Sequence, residues 1–304
     1  MSESLHRSCP VCKSADIRTI GEILHPRPAF VAGVELELGD EQFWLRECRQ
    51  CGFQFKDPII NQARLMECYA KASSHNWDID PDPLWRQFDV LEAVAKRHAN
   101  GRRVLDIGCF NGAMLTFFDT SWEKFGIEPS RDAVKLAESR GVRVLGASLD
   151  EFDRSTGAFD VILAIDVVEH IVEPLPFFQR VSELLAPNGI FVILTGDNQA
   201  IAWRLQGGNY WYSSLPEHVS FYSQKSLDEI GRQTGMAGVE YRRVCHKRLP
   251  FRRWAKDMVK SAAYIGGRAT RGFGVPALRR LFVERRGPSI QAAHDHLIYV
   301  FRRK

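Results

Sequence analysis

The chain has 304 residues, of which 45% are hydrophobic and 26% are charged, a balance typical of a soluble globular protein. It contains no apolar run as long as a membrane-spanning helix, and its N-terminus lacks the basic and apolar regions of a secretory signal, so a cytoplasmic protein is expected. The seven cysteines are then expected to be metal ligands or buried thiols rather than disulfides.

Two CxxC pairs bracket the N-terminal segment, Cys9 with Cys12 and Cys48 with Cys51. Two such turns can direct four thiolates to one ion, which is the tetrahedral site that Zn²⁺ prefers. With the β-like runs at 34–38 and 43–46, they predict a zinc-ribbon-like module over residues 1–60. Four thiolates leave no open coordination position, so the zinc is expected to be structural. The alternative is four unrelated buried cysteines.

A turn-rich connector is predicted over 61–83, and an amphipathic helix follows from Leu84. After Gly101, short apolar runs alternate with helical stretches. The predicted strands are 103–107, 124–128, 143–145, 160–165, 189–194, 238–245 and 296–301, and the predicted helices lie near 113–118, 131–139, 174–185 and 224–234. This alternation predicts an α/β fold with a mostly parallel sheet and helices on both faces.

A glycine-containing loop follows the first of these strands, in the segment from Val104 to Gly112. Such a loop between a strand and a helix is a nucleotide-binding position. It departs from the dinucleotide GxGxxG pattern because no glycine lies two positions after Gly108, which favours a ligand without a pyrophosphate. Glu128 ends the second strand about 20 residues later, at the spacing of a carboxylate that binds ribose hydroxyls.

These motifs resemble those of class I S-adenosylmethionine-dependent methyltransferases, as do the segments 159–170 and 185–192. The resemblance implies a Rossmann-like seven-stranded sheet, a methyltransferase domain over 84–304 and S-adenosylmethionine as cofactor. It places the amino-acid end of the cofactor at Asp106, Gly108, Cys109, Phe110 and Gly112. It places the ribose at Glu128, the adenine beside Ser148 and Leu149, and the methionine portion over Ala164, Ile165 and Asp166. The family commonly has a glycine where Phe110 stands.

The second CxxC pair and the Gly52-Phe53-Gln54-Phe55 that follows it, with Pro58 and Tyr69, resemble the N-terminal module of bacterial methyltransferases that modify sugars and other small metabolites. This resemblance implies a small-molecule or glycan acceptor, such as a sugar hydroxyl that is nucleotide- or lipid-linked. Two alternatives stay open. One is an RNA methyltransferase whose zinc head and basic segment bind phosphates, and the other is a non-catalytic scaffold that binds S-adenosylmethionine.

Methyl transfer to a hydroxyl requires alignment, exclusion of water and removal of a proton. A candidate base should lie near the carboxyl ends of the strands. His170 follows the fourth strand, and His218 lies in an aromatic loop after the fifth. Glu217 could orient His218 or serve as the base itself. In the alternative interpretation, His170 shapes the cofactor pocket and 216–218 merely packs the loop onto the sheet.

Twelve Lys or Arg lie between Lys247 and Arg286, against only Asp257 and Glu284, in a predicted basic helical insertion at about 247–290. One stripe at helical spacing is apolar: Phe251, Trp254, Met258, Ala262 and Ile265. Such a helix can rest on an anionic membrane, here the inner face, or bind phosphate groups of the substrate. It can equally turn its apolar stripe to the core. Nucleic acid is the less favoured partner.

Overall fold

A computed structural model describes residues 7–26, 28–71, 87–149, 151, 156–245, 251–269 and 294–304. Thirteen strands are present in this part of the chain: β1 (Ile17–Ile23), β2 (Ala29–Val31), β3 (Val34–Leu36), β4 (Phe43–Cys48), β5 (Gln54–Asp57), β6 (Arg103–Ile107), β7 (Glu123–Ile127), β8 (Arg143–Val144), β9 (Phe159–Ile165), β10 (Leu185–Gly196), β11 (Ser220–Phe221), β12 (Met236–Val244) and β13 (His296–Arg303). The α-helices there are α1 (Gln62–Lys71), α2 (Phe88–His98), α3 (Arg131–Ser139), α4 (Pro174–Leu184), α5 (Ile201–Gln206), α6 (Gln224–Gln233) and α7 (Phe251–Ala269).

Seven strands form the main sheet in the order β12-β13-β10-β9-β6-β7-β8. The strands from β10 to β8 run parallel, whereas β13 is antiparallel to both of its neighbours. Strand order reverses around β6, which lies between β7 and β9. The crevice outside the carboxyl ends of β6 and β9 is therefore the expected ligand position of an open α/β sheet. The predicted Rossmann-like seven-stranded, mostly parallel sheet is confirmed.

Helices cover both faces of this sheet because its central strands are apolar on both sides. Phe178 of α4 and Ile230 of α6 belong to the buried cluster on one face, with Ala164 of β9. Leu91 of α2 belongs to the cluster on the other face, with the neighbouring Leu163. Alternate residues of one strand thus supply two cores, as the pleat of a strand requires.

Two of the predicted elements differ from the structure. The helix expected near 113–118 is a single 3₁₀ turn, Met114–Phe117, because the chain needs only a short crossover between β6 and β7. The predicted connector 61–83 begins with α1, whose Leu65 and Cys68 are buried three residues apart against the N-terminal strands. Some predicted parts lie outside the described residues: the rest of the connector, Leu84 and Trp85 at the start of the predicted helix, and 247–250 and 270–286 of the basic segment. None of the described helices is long and apolar enough to cross a membrane.

The N-terminal strands form a second sheet in the order β1-β4-β5-β11. Its last strand does not come from the N-terminal segment, since β11 follows the fifth strand of the main sheet in the sequence. Phe55 is paired with Ser220, and Gln54 with Phe221. The N-terminal segment and the loop after β10 therefore share one sheet, and the chain is not divided at residue 60 into two independent sheets.

Candidate active site

The loop after β6 has the backbone of a ligand-binding turn. Gly108 and Gly112 have φ values of +72° and +74°, which side chains other than glycine rarely adopt. A Cβ on Gly108 would lie 2.8 Å from Cγ2 of Val167, and one on Gly112 would lie 3.2 Å from Cα of Ala137. Both glycines are thus required by backbone conformation and by space. Asp106 is buried one residue before the end of β6.

Glu128 is held beside this loop by two backbone donors. Its Oε2 accepts a hydrogen bond from the amide of Phe110 at 2.9 Å, and its Oε1 accepts one from the amide of Ser130 at 2.8 Å. Burial raises the pKa of Glu128, and these two hydrogen bonds oppose the rise. Phe110 has a φ of 45°, which explains why the family commonly has a glycine at this position. Asp166, at the end of the neighbouring β9, also has a positive φ of 50°.

The other predicted cofactor residues lie around the same crevice. Ser148 and Leu149 are half-buried in the segment after β8, where the amide of Glu128 donates to the carbonyl oxygen of Gly146 at 3.1 Å. Ala164 and Ile165 are buried at the end of β9. Cys109 turns its thiol inward, since a Cβ on Gly126 would lie 2.4 Å from its Sγ. Burial raises the pKa of this thiol, so only the backbone of Cys109 is suited to contact a polar ligand.

The predicted histidines lie together at the carboxyl ends of β9 and β10. Their ring centroids are 4.8 Å apart in an edge-to-face arrangement. His170 Nδ1 lies 2.9 Å from the hydroxyl of Tyr69 and 3.1 Å from the carbonyl oxygen of Glu217, and His218 Nδ1 lies 3.0 Å from the carbonyl oxygen of Tyr212. A carbonyl oxygen only accepts, so Nδ1 of His218 carries the proton and its Nε2 presents a lone pair. Burial lowers the pKa of both histidines, which favours the neutral rings.

Glu169 is a fully buried carboxylate beneath these rings, and the sequence analysis did not select it. It accepts hydrogen bonds from the hydroxyls of Tyr212 at 2.5 Å and Thr195 at 2.9 Å. A carboxylate oxygen of Glu169 and one nitrogen of each histidine lie within 4.8 Å of one another. Burial, together with the nearby Asp166, raises the pKa of Glu169 to about 7. The only sequence signal for this residue was its position directly before His170.

Glu217 and Lys56 are both buried at the same site, and each affects the pKa of the other. Burial raises the pKa of Glu217, and the nearby His170 and Lys56 oppose the rise. Among the described residues, no group donates a hydrogen bond to its buried Oε2. Burial lowers the pKa of Lys56 to about 7, although the charge of Glu217 opposes this change. Lys56 of β5 and Tyr69 of α1 carried no sequence signal for a role at this site, because both precede the predicted methyltransferase domain.

The N-terminal segment also fixes the loop that carries Glu217 and His218. Lys56 Nζ donates to the carbonyl oxygens of Leu215 at 2.8 Å and Pro216 at 3.2 Å. Its backbone amide donates to the carbonyl oxygen of Val219 at 3.0 Å. On the other side, the amide of Val219 donates to the carbonyl oxygen of Glu169 at 2.8 Å. The loop is therefore held between β5 and the carboxyl end of the main sheet.

The four predicted metal-ligating thiols are brought together at one end of this segment. The sulfur atoms of Cys9 and Cys51 are 3.6 Å apart, those of Cys12 and Cys48 are 3.4 Å apart, and all four lie within 4.8 Å of one another. Zinc–sulfur bonds of about 2.3 Å in a tetrahedron would separate the sulfurs by roughly 3.8 Å, so the donor set fits Zn²⁺. The hydrogen bond from Cys51 lowers the pKa of Cys9, which favours a thiolate there.

A family model described as a methyltransferase domain matches residues 84–241, more than half of the chain. The chain belongs to this methyltransferase family.

Two relatives are named ubiquinone biosynthesis O-methyltransferase. The one from Azorhizobium caulinodans is 30% identical over 169 residues, which cover 52% of this chain and 66% of the relative. The one from Bradyrhizobium diazoefficiens is 28% identical over 157 residues, which cover 45% of this chain and 62% of the relative. The methyltransferase thus spans slightly less than two thirds of these relatives' lengths.

Among solved structures, the methyltransferase resembles N-methyltransferase NodS from Bradyrhizobium japonicum WM9, which was solved in complex with S-adenosylhomocysteine. The two superpose with a TM-score of 0.50 at 14% identity, over 80% of this chain and 99% of NodS. This likeness concerns the fold. Together with the strand order described above, it identifies the class I S-adenosylmethionine-dependent methyltransferase architecture.

Proposed function

We propose that this methyltransferase transfers the methyl group of S-adenosylmethionine to a hydroxyl of a small-molecule or glycan acceptor, such as a nucleotide- or lipid-linked sugar. The observation that carries the proposal is the buried carboxylate of Glu217, whose Oε2 receives no hydrogen bond from the described residues. It lies with His170 and His218 at the carboxyl ends of β9 and β10, beside the cofactor crevice. A hydroxyl acceptor supplies the donor that this oxygen lacks.

The chemistry follows from the electrostatics of the site. As the acceptor oxygen attacks the methyl carbon, an O–C bond forms, the S–C bond of the sulfonium breaks, and the hydroxyl proton must leave. A base is most effective when its pKa lies near the working pH. Burial raises the pKa of Glu217 towards that range and lowers the pKa of His218 away from it. Glu217 is therefore the proposed proton acceptor, and Nε2 of His218 orients the hydroxyl.

S-adenosylmethionine would supply the methyl group from the crevice outside β6 and β9. Asp106 and the backbone from Gly108 to Gly112 would hold its amino-acid end, and Glu128 would hold its ribose. Ser148 and Leu149 would border the adenine, while Ala164, Ile165 and Asp166 would line the methionine portion. The fit is supported by the absence of a Cβ at Gly108, where one would contact Val167, and by the position of Glu128 against the loop.

An oxygen-directed reaction on a small acceptor has two further supports. The curated relatives that match half of the chain are named as O-methyltransferases. The polar groups of the acceptor side are also enclosed, since Glu217 and His218 expose only 7% and 6% of their surfaces. An acceptor must present a small protruding group to reach them, as a sugar or another small metabolite does.

The proposed function is tested in two stages. Calorimetric titration with S-adenosylmethionine and S-adenosylhomocysteine should give micromolar binding that Glu128→Ala weakens at least tenfold. Methyl-labelled S-adenosylmethionine is then incubated with nucleotide-sugars, glycans and phenols, and the labelled product is examined by NMR for an O-methyl group. Glu217→Gln should lower kcat by 10²-fold or more, whereas the exposed Glu173→Gln should not change it. Labelling of nitrogen or carbon instead, or full activity of Glu217→Gln, would reject the proposal.

We also propose that the cluster of Cys9, Cys12, Cys48 and Cys51 holds one structural Zn²⁺. Support comes from the four sulfurs within 4.8 Å and from the turns that present them. Lys13 and Gly52 have φ values of 60° and 74° and close these turns. Metal analysis of purified protein should give one zinc per chain, and a Cys9→Ser/Cys12→Ser variant should contain none. Stoichiometric zinc in that variant would refute the assignment.

A further inference from the structure

The face of α7 that packs against the protein carries polar groups. The side chains of Asp257, Ser261 and Tyr264 lie on one face at helical spacing, and each of these residues is 5% exposed. By contrast, Phe251 and Val259 are 77% and 69% exposed. An amphipathic helix in a globular protein normally buries its apolar stripe. Phe251, Trp254 and Met258 of the predicted apolar stripe are 77%, 40% and 41% exposed, so this part of the stripe is not buried as the core-facing alternative expects, whereas Ile265 is half-buried.

The exposed apolar side of α7 is extended by a second helix. Helix α5 contacts α7, and its Ile201 and Leu205 are 77% and 60% exposed. The resulting surface comprises six large apolar side chains: Ile201, Leu205, Phe251, Trp254, Met258 and Val259. The rings of Phe251 and Trp254 stack with centroids 5.6 Å apart. Aromatic side chains of this kind are enriched where a membrane interior meets water.

Among the described residues of α5 and α7, the exposed charged side chains are all positive. Arg252, Lys256 and Lys260 are exposed and recur every four residues, so they form one row along α7. Arg204 of α5 is also exposed. The single acidic residue of α7, Asp257, lies on the buried side. The outward side of α7 is thus divided into an apolar half and a basic half.

We propose that helices α5 and α7 dock onto an anionic membrane surface. The apolar half would enter the boundary between headgroups and acyl chains, and the basic row would reach the lipid phosphates. A nucleic acid would not require six exposed apolar side chains, and a purely apolar protein interface would not require the basic row. The docking surface is separate from Glu217 and Glu128 and does not depend on the proposed reaction.

The test uses the whole chain and sedimentation with lipid vesicles. Vesicles of phosphatidylcholine with phosphatidylglycerol should bind the protein, binding should weaken as salt is raised, and phosphatidylcholine alone should bind it at least tenfold more weakly. Neutralising Arg252, Lys256 and Lys260 to Gln should lower the partition coefficient about 100-fold, since each basic residue near such a surface contributes about a factor of five. The matched control neutralises three exposed basic residues elsewhere: Lys135→Gln, Arg143→Gln and Arg232→Gln.

A second variant separates membrane docking from other occupants. Phe251→Ser with Trp254→Ser should reduce binding to anionic vesicles at least tenfold without changing the far-UV circular dichroism, because both side chains are exposed. Equal binding of the unaltered chain to neutral and anionic vesicles would overturn the proposal. So would concentration-dependent dimerisation that the double variant abolishes, combined with no vesicle binding, since the surface would then be an interface between copies of this chain.

Discussion

Replacing Lys56 by methionine tests whether a largely neutral, buried amine supports the loop that carries Glu217. Burial lowers the pKa of Lys56 from 10.5 to about 7. Between these values the unfolded chain holds a proton on Lys56 that the folded protein has lost, so the free energy of unfolding increases with pH. For this one group, the increase amounts to about 2 kcal/mol between about pH 7 and about pH 9.

Methionine at position 56 has no proton to lose, so the variant should lack this increase. Its stability relative to the original protein should therefore fall by about 2 kcal/mol over the same pH interval. The variant also leaves the carbonyl oxygens of Leu215 and Pro216 without the donor that Nζ supplies. An unsatisfied buried polar group costs about 1–3 kcal/mol, a cost that does not depend on pH. Below pH 7 this cost is offset by the removal of a buried charge, because Lys56 of the original protein is then protonated.

The measurement is urea denaturation followed by circular dichroism at several pH values from about 7 to about 9. Lys225→Met is the matched control, because Lys225 is exposed at the start of α6; its curve should parallel that of the original protein. Titration of groups that do not interact with Lys56 cancels in the difference between the original protein and Lys56→Met. A difference that stays constant with pH would refute the conclusion that Lys56 loses its proton on folding near neutral pH.

Three further predictions concern other positions. Gly108→Ala should lower the free energy of unfolding by about 2 kcal/mol more than Gly141→Ala. Both glycines have positive φ, but only at Gly108 would a Cβ lie 2.8 Å from Val167. Equal losses of stability in urea denaturation would contradict this steric reasoning. Glu169→Gln should become more stable relative to the original protein by up to about 3 kcal/mol as pH rises from about 4.5 to about 7, because in this interval the unfolded chain loses the proton of Glu169 while the folded protein retains it. A difference independent of pH would contradict this. Cys51→Ser should lower both kcat and thermal stability, with KM for S-adenosylmethionine changing less than threefold, because β5 supports the loop that carries Glu217 and not the loop after β6. Steady-state kinetics and a thermal melt check this, and an unchanged kcat would contradict it.

The positions of the residues proposed to hold the cofactor could be predicted from the sequence because their signals are local. The loop after β6 and the end of β7 are each a few contiguous residues whose glycines and carboxylate have recognisable spacing. The fold was predictable for the same reason, since apolar runs and helical stretches alternate along the chain. Phe110, which stands where the family commonly has a glycine, has a φ of 45°, a conformation that glycine adopts at less cost.

The acceptor side depends on contacts between distant parts of the chain. Tyr69 and His170 are 101 positions apart, and Lys56 and Pro216 are 160 apart. The local periodicity of a sequence gives no signal for contacts between residues so far apart in the chain. A lysine in a short strand also predicts an exposed side chain, whereas all four residues of β5 are buried. The apolar stripe of α7 was detectable by its spacing, but spacing alone does not indicate which side of a helix faces the protein.

The shared sheet connects the thiol cluster of the N-terminal segment to the loop that carries the proposed base. The thiol cluster includes Cys48, at the end of β4, and Cys51, in the turn that leads into β5. From there, β5 extends to Lys56, whose Nζ reaches the two carbonyl oxygens directly before Glu217. A closed four-thiolate site offers no position for a substrate, yet it can fix the turn from which this strand starts. We therefore propose that the segment affects methylation without touching the acceptor, because the position of the proposed base depends on a strand that the proposed metal site would anchor.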